Sequence, residues 1–383
     1  MTKSERSLAP DIARGAMLLF IALANVPLHL SGHSVDQYGY FADASAPDRI
    51  ALFVEQLLVA ERSRPMFAIL YGFGFAVMAS RMSARGMGAK GVRKVLRRRS
   101  WWLIAFGFAH ACLLFFGDIL APYGATGLIA LGFVHLSDKA LRRWLLISTA
   151  YVTVVGIPVF TLAYGPGSGP PVPVGLPAYA DQLLTGAIGA IGATVAAVVL
   201  AIFVPLVIVG MMLQRSGWID HPERHLPKLR RVFVSGMAVN VLSSLPIALV
   251  ALEAWRPSEA LYRVAVGVTL LGGMYAGLGY ICGFALLAHR RRSRGRRGVP
   301  GAAAALGERS LTSYLLQSVI MAPLLAVWGL GFGEGMGYLA AFGVAAAAWA
   351  ATIAFAVALD RAGRRGPFEA VLRRLTYGSA RSG

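Results

Sequence analysis

Ionisable and amide side chains set inside apolar runs are the residues of this sequence whose types and spacing can do chemistry. His110 lies nine residues after Trp101 in one such run. That places an imidazole near a bilayer centre, where it must bond a partner or line a wet cavity. An imidazole is able to move a proton near neutral pH without help. Asp118 follows at the turn Gly117-Asp118; it either caps the next helix or faces an acceptor. On a straight helix eight residues span about 12 Å along the axis. No direct His110–Asp118 dyad is therefore expected unless the helix breaks near Gly117.

His29 and His33 stand at the outer mouth of the first run. They are either ordinary loop histidines or bases facing an external acceptor. Asp11 and Arg14 are three residues apart and share a helix face. They either pair at the membrane boundary, or Arg14 offers its planar fork to a phosphate-bearing group. Asn25 either bonds a neighbouring helix or orients a carbonyl. Glu308 and Arg309 sit at an edge where charge is cheap. Tyr314 and Gln317, three residues apart, face inward together and line a site. Cys112 and Cys282 fall inside apolar runs with no pairing or metal spacing, so they read as small apolar residues. No metal-ligand spacing, Walker loop or dinucleotide fingerprint is present, which weighs against an ATP-driven pump and a metalloprotease.

These groups need elements to hold them. The 383 residues are 57% hydrophobic and only 14% charged, against about 25% charged in a soluble chain. Lipid explains that deficit, at about 20 apolar residues per crossing. Ten spans are expected: 11–30, 65–80, 101–116, 119–136, 144–164, 186–213, 232–252, 264–288, 311–330 and 338–359. The first is read as a span rather than a signal peptide, being long and lacking a small-x-small cleavage site. Residues 48–61 carry one apolar stripe and predict a helix lying in the outer interface. The fold class is all-α, a polytopic membrane bundle.

A net charge of +19 suggests nucleic acid until its placement is considered. All of the 37 Lys and Arg except Arg49, Arg62, Arg64, Arg256 and Arg263 fall in alternate gaps. The positive-inside rule produces that pattern and puts both termini in the cytoplasm. Membrane lipids, not nucleic acid, are the expected partners of the basic face. The expected organisation is an eight-span part (1–288), a basic cytoplasmic linker (289–310), a helix pair (311–360) and a basic tail (361–383). Gly273-x-x-x-Gly277 and Gly279-x-x-x-Gly283 read as close packing within the bundle rather than dimerisation.

At these residues the sequence resembles the YeiB-like bacterial membrane proteins, a family named for a domain of unknown function. Leu8-Ala9-Pro10-Asp11-Ile12-Ala13-Arg14-Gly15 with Asn25 beyond is similar to the family's LD-x-x-RG start, with Pro10 for the usual Leu. Arg64 to Phe75 is similar to its basic residue and aromatic-Gly second span, which adds Arg64 as a substrate-binding candidate. Gly107, His110 and Gly117-Asp118-Ile119-Leu120 before Tyr123 form the closest block. Gly210 to Trp218, Gly307 to Ser318 (Ser313 where Asn is usual) and Arg365-Gly366-Pro367 to Thr376 match further blocks.

The resemblance implies a multi-pass protein of the bacterial cytoplasmic membrane. It also implies a distant likeness to transmembrane acyltransferases, which include the lysosomal heparan glucosamine acetyltransferase. In those enzymes the catalytic histidine lies in the outer loop after the first span, the region of His29 and His33. The reading that follows is acyl transfer from cytoplasmic acyl-coenzyme A, a co-substrate and not a tightly bound cofactor, to an external small-molecule or glycan acceptor. Arg14 and neighbouring cytoplasmic basic residues hold the donor phosphates, and Asp11, Arg64 and Arg309 are further substrate-binding candidates. Asn25 and His110 line the transfer path, and Asp118 or His29 faces the external acceptor. Tyr314 and Gln317 are further site-lining candidates, and His110, Asp118 and His29 are the catalytic candidates. A transporter without covalent chemistry and a membrane accessory protein are the alternatives.

Overall fold

The computed structural model describes residues 8–164, 178–291 and 298–378. The Pro- and Gly-rich stretch Gly165–Gly175, which by sequence is an external loop after the fifth expected span, residues 292–297 of the expected linker and the last five residues of the tail lie outside the described residues. Most of the described residues are helical: α1 (Ala9–Asn25), α2 (Ala46–Leu58), α3 (Ser63–Ala84), α4 (Ala89–Leu113), α5 (Leu120–Ala130), α6 (Asp138–Tyr151), α7 (Ile157–Tyr164), α8 (Tyr179–Val199), α9 (Val204–Ser216), α10 (Leu226–Ala251), α11 (Glu259–Arg290), α12 (Gly298–Glu308), α13 (Ser310–Leu325), α14 (Tyr338–Arg361) and α15 (Pro367–Tyr377). No strand is present among the described residues; the outer loops hold only two isolated bridges.

Local chemistry sets these boundaries. Pro10 and Asp11 open α1, where a missing N–H and a negative charge are both favoured. Ser45 and Asp48 form a reciprocal capping box on α2. The hydroxyl of Ser137 caps α6 and that of Ser258 caps α11. Gly217, at φ +70°, ends α9 in the left-handed conformation that glycine adopts without strain.

Seven helical stretches among the described residues are long and apolar enough to cross a membrane: Ala9–His29, Ala46–Ala84, Asp138–Ala163, Tyr179–Val199, Leu226–Ala251, Glu259–Arg290 and Tyr338–Arg361. Each overlaps one of the ten expected spans. Of the remaining three, two form short helices and one lies in a long helix that is basic in its first half. Basic residues fill the first half of α4, α5 has 11 residues, and α13 has 16. The expected span 186–213 divides into α8 and α9 around Ala201, whose φ is +51°. Residues 298–308 of the expected linker form α12, which packs along α1. A Cβ on Gly15 would overlap the carbonyl of Ala303, and one on Gly307 that of Asp11. On α2 the stripe residues Ile50, Val54 and Leu58 do point outward, while Leu52 and Glu55 are buried.

Glycines fix the closest helix crossings. A Cβ on Gly210 of α9 would overlap Ile69 O, and one on Gly72 of α3 would overlap Val207 O. The two GxxxG pairs pack inside the bundle, as expected. Gly273 meets Glu61, Gly277 meets Pro65 and Met66, Gly279 meets Gly236, and Gly283 meets Phe233. Gly210→Val should therefore force α3 and α9 apart. A loss of about 1–3 kcal/mol or more from overpacking is expected, read as a lower midpoint of thermal unfolding in detergent.

The bundle has two chemically distinct ends. At one, Arg215 donates to Val134 O and Leu136 O and pairs with Asp138, Arg309 binds Asp360 and Arg364 O, and Glu369 accepts from Leu311 and Thr312 N–H. The start of α1 and the end of α14 share this end, since Asp11 meets Gly307 and Arg309 meets Asp360. At the other end Ser31 bonds Gly333 and Gly335, Tyr38 donates to Pro257 O, and Arg49 pairs with Glu253. Segments expected on one side of a membrane thus meet one another.

Candidate functional site

Four expected site residues converge where α4, α5, α13 and the turn after α1 meet. His110 Nδ1–H donates to Asp118 Oδ1 at 2.8 Å, with the two side chains 1% and 0% exposed. This is the exception the spacing left open, a helix broken before Gly117: α4 stops at Leu113, and the N–H groups of Leu114 and Phe115 both close onto His110 O. The chain then doubles back through Gly117. Gly107, one turn before His110, lets the return approach, since a Cβ there would overlap Ala121 N and Asp118 Oδ2.

Asp118 does two jobs. Its Oδ2 accepts the Ala121 N–H at 2.9 Å in the first turn of α5, so the capping role is real. Its Oδ1 serves His110 and also lies 3.4 Å from the Tyr314 hydroxyl, which donates to it from α13. With Nδ1 holding the proton, His110 Nε2 carries the lone pair and has no hydrogen-bond partner among the described residues. That is the orientation a general base requires.

His29 belongs to the same place. It ends a short 3₁₀ turn, Val26–His29, and is 9% exposed rather than a free loop residue. Its ring packs on Phe115 at 4.9 Å, and Phe115 in turn lies 6.4 Å from the His110 ring. His29 Nε2 is also buried and unpartnered among the described residues. Two imidazoles with open nitrogens thus flank one phenyl ring. Nearby, Gln317 donates to Leu18 O at 3.3 Å while its Oε1 finds no partner. Among the described residues no group of three or more His, Cys, Asp or Glu could hold a metal ion.

The other candidates lie elsewhere. Arg14 donates to Asp11 Oδ1 at 3.0 Å and to Leu70 O at 3.5 Å, so the pairing alternative is realised. Asn25 is half-buried at the end of α1. Arg64 pairs with Glu61, and its carbonyl accepts the Tyr123 hydroxyl at 2.7 Å. The Arg309 guanidinium is given over to Ala305 O, Arg364 O and Asp360. Its donors join α12 and α13 to the end of α14.

His33 forms a strap over the outer end. Its Nδ1 lies 2.9 Å from Asp43 Oδ2 and its Nε2 3.1 Å from Met336 O, and the ring stacks on Phe41, which stacks on Tyr338. The His33 hydrogen bond holds the Asp43 carboxyl below its ordinary value. A depressed folded-state value means the contribution is present above the unfolded carboxylate value and lost as pH falls through the lowered one. Limited proteolysis of residues 30–45 should therefore accelerate in acid. Asp43→Asn should show the faster cleavage already at neutral pH and lose the acid dependence.

A further buried cluster escaped the sequence reading. Arg62 is fully buried and donates to Asn240 Oδ1 at 2.5 Å, with Glu55 buried one element away. By spacing alone Arg62 reads only as an exception to the cytoplasmic charge pattern, and Glu55 as part of an interfacial helix. Their signal was present, since ionisable residues within an apolar run mark sites by default.

Comparisons with known proteins agree with the motif resemblance. Residues 213–379 match the model of a family described as a protein of unknown function, DUF418. The chain is 24% identical to the uncharacterized protein YxaH of Bacillus subtilis (strain 168), over 98% of this chain and 95% of the relative. It is 26% identical to the uncharacterized protein YeiB of Escherichia coli (strain K12), over 98% and 97%. These likenesses support a YeiB-like family of unknown function.

Proposed function

We propose that this YeiB-like chain is a membrane acyltransferase in which His110 is the general base. The observation that carries the reading is the buried Asp118–His110 pair, 2.8 Å apart through Nδ1, with Nε2 left without a partner among the described residues. An acceptor hydroxyl or amine gives its proton to Nε2 as its oxygen or nitrogen attacks the carbonyl of an acyl thioester. A C–O or C–N bond forms, the C–S bond breaks, and the proton passes from Nε2 to the departing sulfur. Asp118 and Tyr314 position the imidazole, and His29 faces the acceptor.

The donor reading rests on α1. Arg14 and His29 are separated by 15 residues, roughly 22 Å along a helix. A donor bridging them is long, thin and charged at one end, which suits acyl-coenzyme A. Its phosphates compete with Asp11 for Arg14. We place the protein in the bacterial cytoplasmic membrane with its basic end inward; labelling of the 81–99 segment by an impermeant reagent on intact cells would overturn that orientation.

The test is direct. Full-length protein in sealed proteoliposomes is given acyl-coenzyme A labelled in the acyl group on one face, with a panel of amine and hydroxyl acceptors on the other. Transfer of label supports the reading, and failure to bind or cleave any acyl-coenzyme A overturns it. A second reading, proton-coupled transport without covalent chemistry, is favoured by the near-complete enclosure of the dyad. It predicts substrate accumulation driven by a pH gradient, with the acyl donor left intact.

A further inference from the structure

The junction of α2 and α3 is an irregular break within a stretch otherwise apolar enough to cross a membrane. Backbone groups freed there must find partners inside the protein. The break starts at Glu55, whose carbonyl accepts both Val59 N–H at 2.7 Å and Ala60 N–H at 2.9 Å. It runs through Glu61, held at φ +60°, a conformation non-glycine residues rarely adopt. The carbonyls it frees are met by side chains. Asn240 Nδ2 of α10 donates to Leu57 O at 2.9 Å, the Tyr280 hydroxyl of α11 to Leu58 O at 2.8 Å, and Arg62 to Ala60 O.

One group in this arrangement has no structural task. The Glu55 side chain is buried, its Oε2 accepts only from Gln56 Nε2 at 3.0 Å, and its Oε1 has no hydrogen-bond partner among the described residues. A buried carboxylate ion would draw the nearest cation to itself. Arg62 lies close enough to interact electrostatically with Glu55, yet its donors go to Asn240 and to the Ala60 carbonyl. That choice fits a neutral carboxylic acid. The other titratable or charged groups facing Glu55 are Glu61 at the break, Tyr40 of the outer loop and Tyr338 of α14. Among the described residues, Arg62 is the cation that acts on Glu55.

We propose that Glu55 is a proton-binding site, distinct from His110, whose loading sets the conformation of the α2–α3 break. With the proton on, Glu55 is neutral and Arg62 closes the break by holding Asn240 and Ala60 O. When the proton leaves to water, the carboxylate is left negative and Arg62 swings to pair with it. Ala60 O and Asn240 Oδ1 then lose their donor, and the break loosens.

The experiment is infrared spectroscopy and hydrogen–deuterium exchange on the full chain in nanodiscs across neutral to alkaline pH. A protonated-carboxyl band present at neutral pH, absent in Glu55→Gln, should titrate away. In step with it, exchange at residues 57–63, corrected for intrinsic base catalysis, should quicken roughly tenfold or more, the worth of one charge-assisted hydrogen bond. Glu55→Gln should keep the slow exchange at every pH. Asn240→Asp, which gives Arg62 a permanent carboxylate, should keep the Glu55 band but suppress the exchange response. The proposal is overturned if no band at neutral pH belongs to Glu55, if the band persists unchanged to alkaline pH, or if Glu55→Gln responds to pH as the wild type does.

Discussion

His110→Gln should lower acyl-transfer turnover by about 10²–10⁴-fold, the usual worth of a positioned general base, with the KM for the donor changed little. The reason is geometric. His110 Nε2 is the open nitrogen of a ring whose other nitrogen is committed to Asp118. A glutamine amide keeps polar atoms in place but cannot take up the proton. Asp118→Asn tests the positioning half of the pair. An amide presenting N–H to Nδ1 would turn the ring to the other tautomer, placing the proton on Nε2. Turnover should fall by a comparable factor, while the Ala121 N–H retains an acceptor and α5 stays capped. Tyr314→Phe, which removes only the longer 3.4 Å contact, should cost far less. Circular dichroism and unfolding midpoints close to wild type would separate these effects from misfolding. Unaltered turnover in His110→Gln would remove the base from the mechanism.

Asn240→Leu should be the most destabilising single substitution in the bundle interior. Asn240 accepts from Arg62 Nε at 2.5 Å and donates to Leu57 O at 2.9 Å, so its loss leaves the Nε–H of a fully buried guanidinium and a carbonyl freed by a helix break without these partners. Each buried polar group left unsatisfied costs about 1–3 kcal/mol, more when it is charged. Equilibrium unfolding in mixed micelles should show that loss. The double variant Arg62→Met with Asn240→Leu should recover part of it, because the stranded charge goes with its partner. If the double variant were no more stable than Asn240→Leu alone, the charge would not be what the asparagine satisfies.

Both predictions depend on features of unequal legibility. Asp11 with Arg14, and Tyr314 with Gln317, were readable because helical spacing of three residues fixes a shared face, and Arg14 does bond Asp11. The two GxxxG pairs were readable as packing surfaces for the same reason. The His110–Asp118 bond was not. Spacing on a regular helix separates the two, and only the stop at Leu113 brings Asp118 back past Gly107. Arg309 was legible as an edge charge but not as the tie to Asp360. The short α5 and α13 read as full spans because composition continues beyond the last helical turn.

The sequence by itself determined that the chain is helical, that many of its helices suit lipid, and that its cationic segments alternate along the chain. Each of these follows from composition and short-range period, which act within a few turns. Tertiary structure alone decided which polar groups meet. Asn240 and Arg62 are 178 residues apart, Tyr314 and Asp118 are 196 apart, and both contacts exist because a helix stops or breaks where a distant helix supplies the missing partner. Buried polar groups must be satisfied, but the rule does not name the partner; that choice belongs to the packing of the whole bundle.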